Sequence, residues 1–162
     1  FSMIGNWFDY KINFIIWGVI TAVLLFIVLV NLYKKTKFKN KKAHQLMYAS
    51  LFFLVLTVIT PTAHSEPIQE ELKSHLFYFN LHGLFAVLFG LFLLTSLFIF
   101  SRYTSQINKN FSTKSLILLL TTVGGSIFTL FIFGMTGVFE LFFFLSLSIF
   151  LIVANFLIKK DP

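Results

Sequence analysis

Apolar residues fill this chain in long runs separated by short polar gaps. A helix needs about 20 apolar residues to cross a hydrocarbon core about 30 Å thick. On that measure the pattern predicts spans at residues 12–33, 43–63, 74–100, 115–133 and 138–158. The last two come from one continuous stretch, residues 115–158, which as a single helix would run about 66 Å at 1.5 Å per residue. Gly134-Met135-Thr136-Gly137 supplies the break. Pro61 is expected to end or bend the second span, and Trp17 and Tyr33 suit the interfaces of the first. The third span is the longest. The segment Ser65-Glu66-Pro67-Ile68-Gln69-Glu70-Glu71-Leu72 before it has a Ser cap, an early Pro and acids in its first turns. Those features suit the positive end of a helix that runs on into the span. The expected fold is therefore all-α, one five-helix transmembrane domain over residues 1–162.

Charge gives the bundle a direction. Eleven of the 13 Lys and Arg residues fall in alternate gaps: six from Lys34 to Lys42, then Arg102, Lys109 and Lys114, then Lys159 and Lys160. By the positive-inside rule this predicts an outside N-terminus and an inside C-terminus. Asp9, Glu66, Glu70, Glu71 and Glu140 then fall outside and only Asp161 inside.

Composition agrees with the bilayer as solvent. Hydrophobic residues make up 57% and charged residues 12%, about half the charged share of an ordinary soluble domain. The formal charge of +7 sits in short loops, where anionic head groups are the natural partner; no nucleic-acid partner is expected. With no cysteine, disulfides and thiolate metal sites are excluded. The first run lacks a charged leader and a small-residue cleavage site, so it is expected to be a retained span, with Met3 as the native start. Heavy use of Phe, Lys, Asn and Ile points to an AT-rich bacterial genome and hence to the bacterial cytoplasmic membrane.

Polar residues in or beside the spans are the candidates for function. His44 opens the second span on the lysine-rich side, about 30 Å along the helix axis from His64 at its other end, so the two cannot share a site. His75, Tyr78 and His82 follow i, i+3, i+7 on one face, with Ala86 and Gly90 below them. Glu71, four residues before His75, could orient its imidazole. Ser50, Thr57 and His64 form a parallel stripe on the second span. If the stripes face each other, His64 and His82 approach near the outer leaflet, and Glu140 could join them. Imidazoles so placed could ligate haem iron, through His64, His82 and His75. With Glu71 and Glu140 the same three could hold a divalent metal such as Zn or Cu(II), or relay protons. Bland roles compete: interfacial histidines, small-residue packing at Ala86, Gly90, Gly124 and Gly125, and Thr121, Thr122, Ser126 and Thr129 bonding back to their own helix. The abundant aromatics are expected to face lipid or fill the bundle rather than form a quinone site.

Lys42-Ala43-His44-Gln45-Leu46-Met47-Tyr48-Ala49, followed by His64 closing that span, His82 early in the next and Asn13 early in the preceding one, resembles a known pattern. It is similar to the YozB/CtaM-like small bacterial membrane proteins associated with maturation of haem–copper terminal oxidases, over residues 13–100. The resemblance implies haem or copper delivery to an oxidase, with a membrane-protein partner. Where the family has a further histidine after the third long span, this chain reads Asn110-Phe111-Ser112-Thr113-Lys114, which leaves a four-histidine site one ligand short. The residues thus point to a haem- or metal-binding accessory factor. A small transporter or proton conductor using Glu140 and the histidines, and a cofactor-free structural or immunity-type protein, stand as alternatives. No Ser–His–Asp, thiol or phosphate-loop constellation marks an enzyme.

Overall fold

The computed structural model describes residues 11–60, 71–105, 109–133 and 137–159, and the side chains of these apart from 11, 71–80, 137 and 157–159. The described residues form five helices and no strand: α1 (Lys11–Lys35), α2 (Lys41–Ile59), α3 (Glu71–Thr104), α4 (Lys109–Phe133) and α5 (Gly137–Lys159). Each contains a stretch long and apolar enough to cross a bilayer; the chain is a multi-pass membrane protein. Neighbours in sequence pack as neighbours in space, most extensively α2 with α3, and contact between α1 and α5 closes the ring.

The first turn between helices follows from its residues. Lys37 adopts a positive φ of 52°; its N–H bonds the Lys34 carbonyl at 3.0 Å, and the Phe38 N–H bonds the Tyr33 carbonyl at 2.9 Å. These two bonds close α1 in a Schellman motif, and its apolar clasp is the Phe38 ring set edge-on against Tyr33 at 4.9 Å. Asn40 then caps α2, its side-chain oxygen accepting from the Ala43 N–H at 3.1 Å. Phe100 packs against this corner and Phe111 packs on Phe100, which brings α3 to the corner and α4 beside it. The Lys35 ammonium reaches Asn155 of α5 at 3.4 Å. All three lysine-bearing gaps therefore gather at one end of the bundle.

Lipid tails are as apolar as leucine, so packing and hydrogen bonds, rather than expulsion from water, hold the helices together. The basic half provides both. Leu29, Leu32, Met47, Leu93 and Leu97 are fully buried there. The Ser96 hydroxyl donates to the Ala43 carbonyl at 2.6 Å. Its single proton is thereby used, so the Tyr33 hydroxyl, 2.7 Å away, must be the donor to Ser96. One chain of hydrogen bonds thus ties α1, α3 and α2.

Most helix ends differ from the expected span limits, and two of the differences have a plain cause in the sequence. α2 stops at Ile59 rather than residue 63, because Thr60 precedes Pro61 and proline disfavours helical backbone at the residue before it; Thr60 is extended (φ −72°, ψ 122°). α4 begins at Lys109 rather than residue 115: its polar first turns continue the helix past the apolar stretch. The expected helix start at residues 65–70 lies outside the described residues.

Candidate functional site

At the end of the bundle away from the lysines, α2 ends and exposes what a helix end always leaves, carbonyls without an internal partner. His82 takes one of them. Its Nδ1 lies 3.3 Å from the Thr60 carbonyl oxygen. A carbonyl only accepts, so Nδ1 carries the proton, and in the neutral ring Nε2 keeps its lone pair. Among the described residues nothing bonds Nε2. The residue is 7% exposed and stands level with the end of α2.

His82 lines a cavity of about 330 Å³ to which all five helices contribute, within the size range of small-molecule sites. The walls are mainly apolar and aromatic, with Phe14, Trp17, Phe89, Phe139, Phe143 and Phe144 around the space. Gly83, Ala86 and Gly90 continue the His82 face of α3 along it. A Cβ on Gly90 would touch only the Phe143 ring, at an ordinary 3.7 Å. That glycine widens the cavity; it does not serve a close helix–helix approach. The tight approaches are elsewhere, at Gly18 against Val58 and at Gly125 against Phe142, while a Cβ on Gly124 would meet nothing.

Glu140, in the first turn of α5, lines the same cavity. It is half-buried and engaged in an interaction of its own. His82 and Glu140 thus border one space. On the α2 stripe Ser50 and Thr57 are buried, α2 packs along α3, and Thr57 meets the cavity. Their hydroxyl protons, however, go to the Met47 and Phe53 carbonyls, so toward a ligand these groups could only accept. His64 lies outside the described residues, as do the side chains of Glu71 and His75. Among the described side chains no group of three His, Cys, Asp or Glu is arranged to hold a metal. His44 is at the opposite end, its Nδ1 2.8 Å from the Asn40 carbonyl and its ring stacked on Phe38.

Ser126 on α4 departs from its sequence expectation. Thr121, Thr122 and Thr129 each donate to their own helix as expected. Ser126 lines the cavity, is 7% exposed, and its hydroxyl has no partner. Sequence carries only a faint signal for it: a serine one residue beyond a Gly-Gly pair on a span.

Comparison with known proteins finds no matching family model, no similar curated protein and no similar solved structure.

Proposed function

We propose that this chain is a membrane-embedded binding protein whose ligand is taken by Nε2 of His82 inside the five-helix cavity. The observation that carries the reading is the Nδ1 contact with the Thr60 carbonyl. It fixes ring orientation and tautomer and leaves the other nitrogen as a lone-pair donor toward an apolar space, the arrangement that sets ligand-donating histidines elsewhere. A buried imidazole serving only as structure would have no need of a cavity beside it.

The donor chemistry suits the species that the oxidase-maturation resemblance implies. Imidazole is a ligand for haem iron, Zn and Cu(II), so His82 would hold such a group with Glu140 beside it, and His64, His75 and Glu71 are the further donors expected from the sequence. Bound there, the group would supply Lewis acidity or electron transfer. The corresponding role is that of an accessory factor in the bacterial cytoplasmic membrane, lysine-rich end inside, next to a membrane-protein partner.

Protein purified in detergent from haem- and metal-replete cells tests the reading by absorbance and metal analysis. A Soret band or stoichiometric metal that is lost in His82→Ala is the expected result. Its retention in that variant removes His82 from the role. Because His82 and Glu140 share one cavity, proton relay is a second reading; proteoliposomes showing no pH-gradient flux above empty vesicles would eliminate it.

A further inference from the structure

Ser126 and His82 line the cavity from different helices; the buried Ser126 hydroxyl has no partner among the described residues, and His82, with Nδ1 on the Thr60 carbonyl, keeps the Nε2 lone pair. Other hydroxyls near them are used locally: Thr21 donates to the Trp17 carbonyl at 2.9 Å and Thr57 to the Phe53 carbonyl at 2.8 Å. A serine in a helix can bond back to the preceding turn; of the two described buried ones whose hydroxyls find no partner, Ser101 and Ser126, Ser126 is the one at the cavity. Leaving its hydroxyl unmet costs about 1–3 kcal/mol. The polarity of the pair is also defined. His82 Nε2, with Nδ1 already donating, can only accept in the neutral ring, while the Ser126 hydroxyl can donate or accept. A ligand matched to both carries an O–H for the histidine and a second oxygen for the serine.

The walls and the way in narrow the class further. Aromatic side chains that fill the bundle, Phe89, Phe143 and Phe144 among them, also line the space, and rings pack best on rings, edge-on or offset. Four lining side chains are exposed. Trp17 is one; the others are Val87 and Leu91 on α3 (48% and 56% exposed) and Ile127 on α4 (56%). Hydrogen bonding and ring contact between α3 and α4 occur at the basic end, through Ser101 with Ser112 and Phe100 with Phe111. At cavity level, apolar residues of both helices are open to the acyl-chain side, so the cavity is reached from within the bilayer.

We infer that the cavity binds a lipid-borne dihydroxylated ring of the quinol class, one hydroxyl donating to His82 Nε2, the other oxygen bonded to Ser126, and the tail leaving between α3 and α4. The inference rests on His82 as the ligand-taking residue and names what it takes.

The test uses full-length protein in nanodiscs with Trp7→Phe, which leaves Trp17 of the cavity wall as sole tryptophan reporter. Titrated decylubiquinol quenches Trp17 saturably. Ser126→Ala weakens binding about fivefold, the worth of one hydrogen bond, and His82→Phe weakens it at least as much. Gly90→Leu, which fills the cavity, abolishes binding. The bis-methyl ether of the quinol, with no O–H to give, binds wild type no better than it binds His82→Phe. Should His82→Phe fail to fold, Ser126→Ala still decides, since it deletes only an unpartnered hydroxyl. Equal affinity in wild type, Ser126→Ala and Gly90→Leu overturns the inference. If decylubiquinol gives no saturable quenching while haem or metal is held through His82, this inference falls and the proposed function stands; if neither binds, both fall.

Discussion

Lys37 occupies a backbone conformation that an L-residue adopts at a cost of about 1–2 kcal/mol and glycine adopts freely. Its side chain is exposed, so Lys37→Gly is expected to raise the stability of the folded bundle by about 1 kcal/mol, read as a higher midpoint in detergent thermal unfolding. Lys37→Pro, which cannot reach a positive φ, is expected to lower it. The Tyr33–Ser96–Ala43 chain makes an asymmetric prediction. Tyr33→Phe removes the terminal donor, Ser96 keeps its bond to Ala43, and the loss is about 1 kcal/mol. Ser96→Ala strands the buried Tyr33 hydroxyl and is expected to cost about 1–3 kcal/mol. A Tyr33→Phe/Ser96→Ala double variant more stable than Ser96→Ala alone would confirm that the stranded hydroxyl, rather than lost packing, is the cause.

At the scale of helices, adjacent glycines of α4 should behave in opposite ways. A Cβ on Gly125 would overlap the Phe142 ring, whereas one on Gly124 meets nothing. Gly125→Leu is expected to push α4 off α5 and cost about 1–3 kcal/mol, the usual penalty of overpacking, while Gly124→Leu is tolerated or stabilising through better helix propensity; thermal unfolding of the two variants checks this. The sequence names both glycines and cannot rank them, because their difference depends on which face of α4 meets α5. Hydropathy resolved the five helices, since apolar runs of bilayer length and a Gly-Met-Thr-Gly break are visible directly. It located helix ends less well. The end of α2 is set by the constraint of Pro61 on Thr60, and the start of α4 by polar turns about which hydropathy is silent. His82 and Glu140 were legible as polar residues in an apolar chain. Ser126 was not, because whether a serine turns back to its own helix is a rotamer choice made by its neighbours.

For the whole molecule, the gathering of the lysine-bearing gaps at one end turns a pattern along the chain into a property of the bundle. The contacts of Lys35 with Asn155, of Phe100 with the α1–α2 corner and of Phe111 with Phe100 make that end a single surface whichever way the protein inserts. The positive-inside rule predicts that this surface faces the cytoplasm, because loops of Lys and Arg resist translocation. A cysteine-free chain makes this directly measurable: a single cysteine is the only thiol to be labelled. In intact bacterial cells, Lys39→Cys is expected to resist a membrane-impermeant maleimide until the membrane is opened, and Ser65→Cys, in the gap between the second and third spans, is expected to react at once. Replacing Lys34, Lys35, Lys37, Lys39, Lys41 and Lys42 by Gln removes six of the eleven charges at that end and should produce a mixed population in which Lys39→Cys is not available as a probe but Ser105→Cys, beside Arg102, becomes partly reactive. Labelling at residue 39 in intact wild-type cells would invert the bundle. It would place His82, Glu140 and the mouth of the cavity on the cytoplasmic side, where a factor acting on the outer face of an oxidase could not use them.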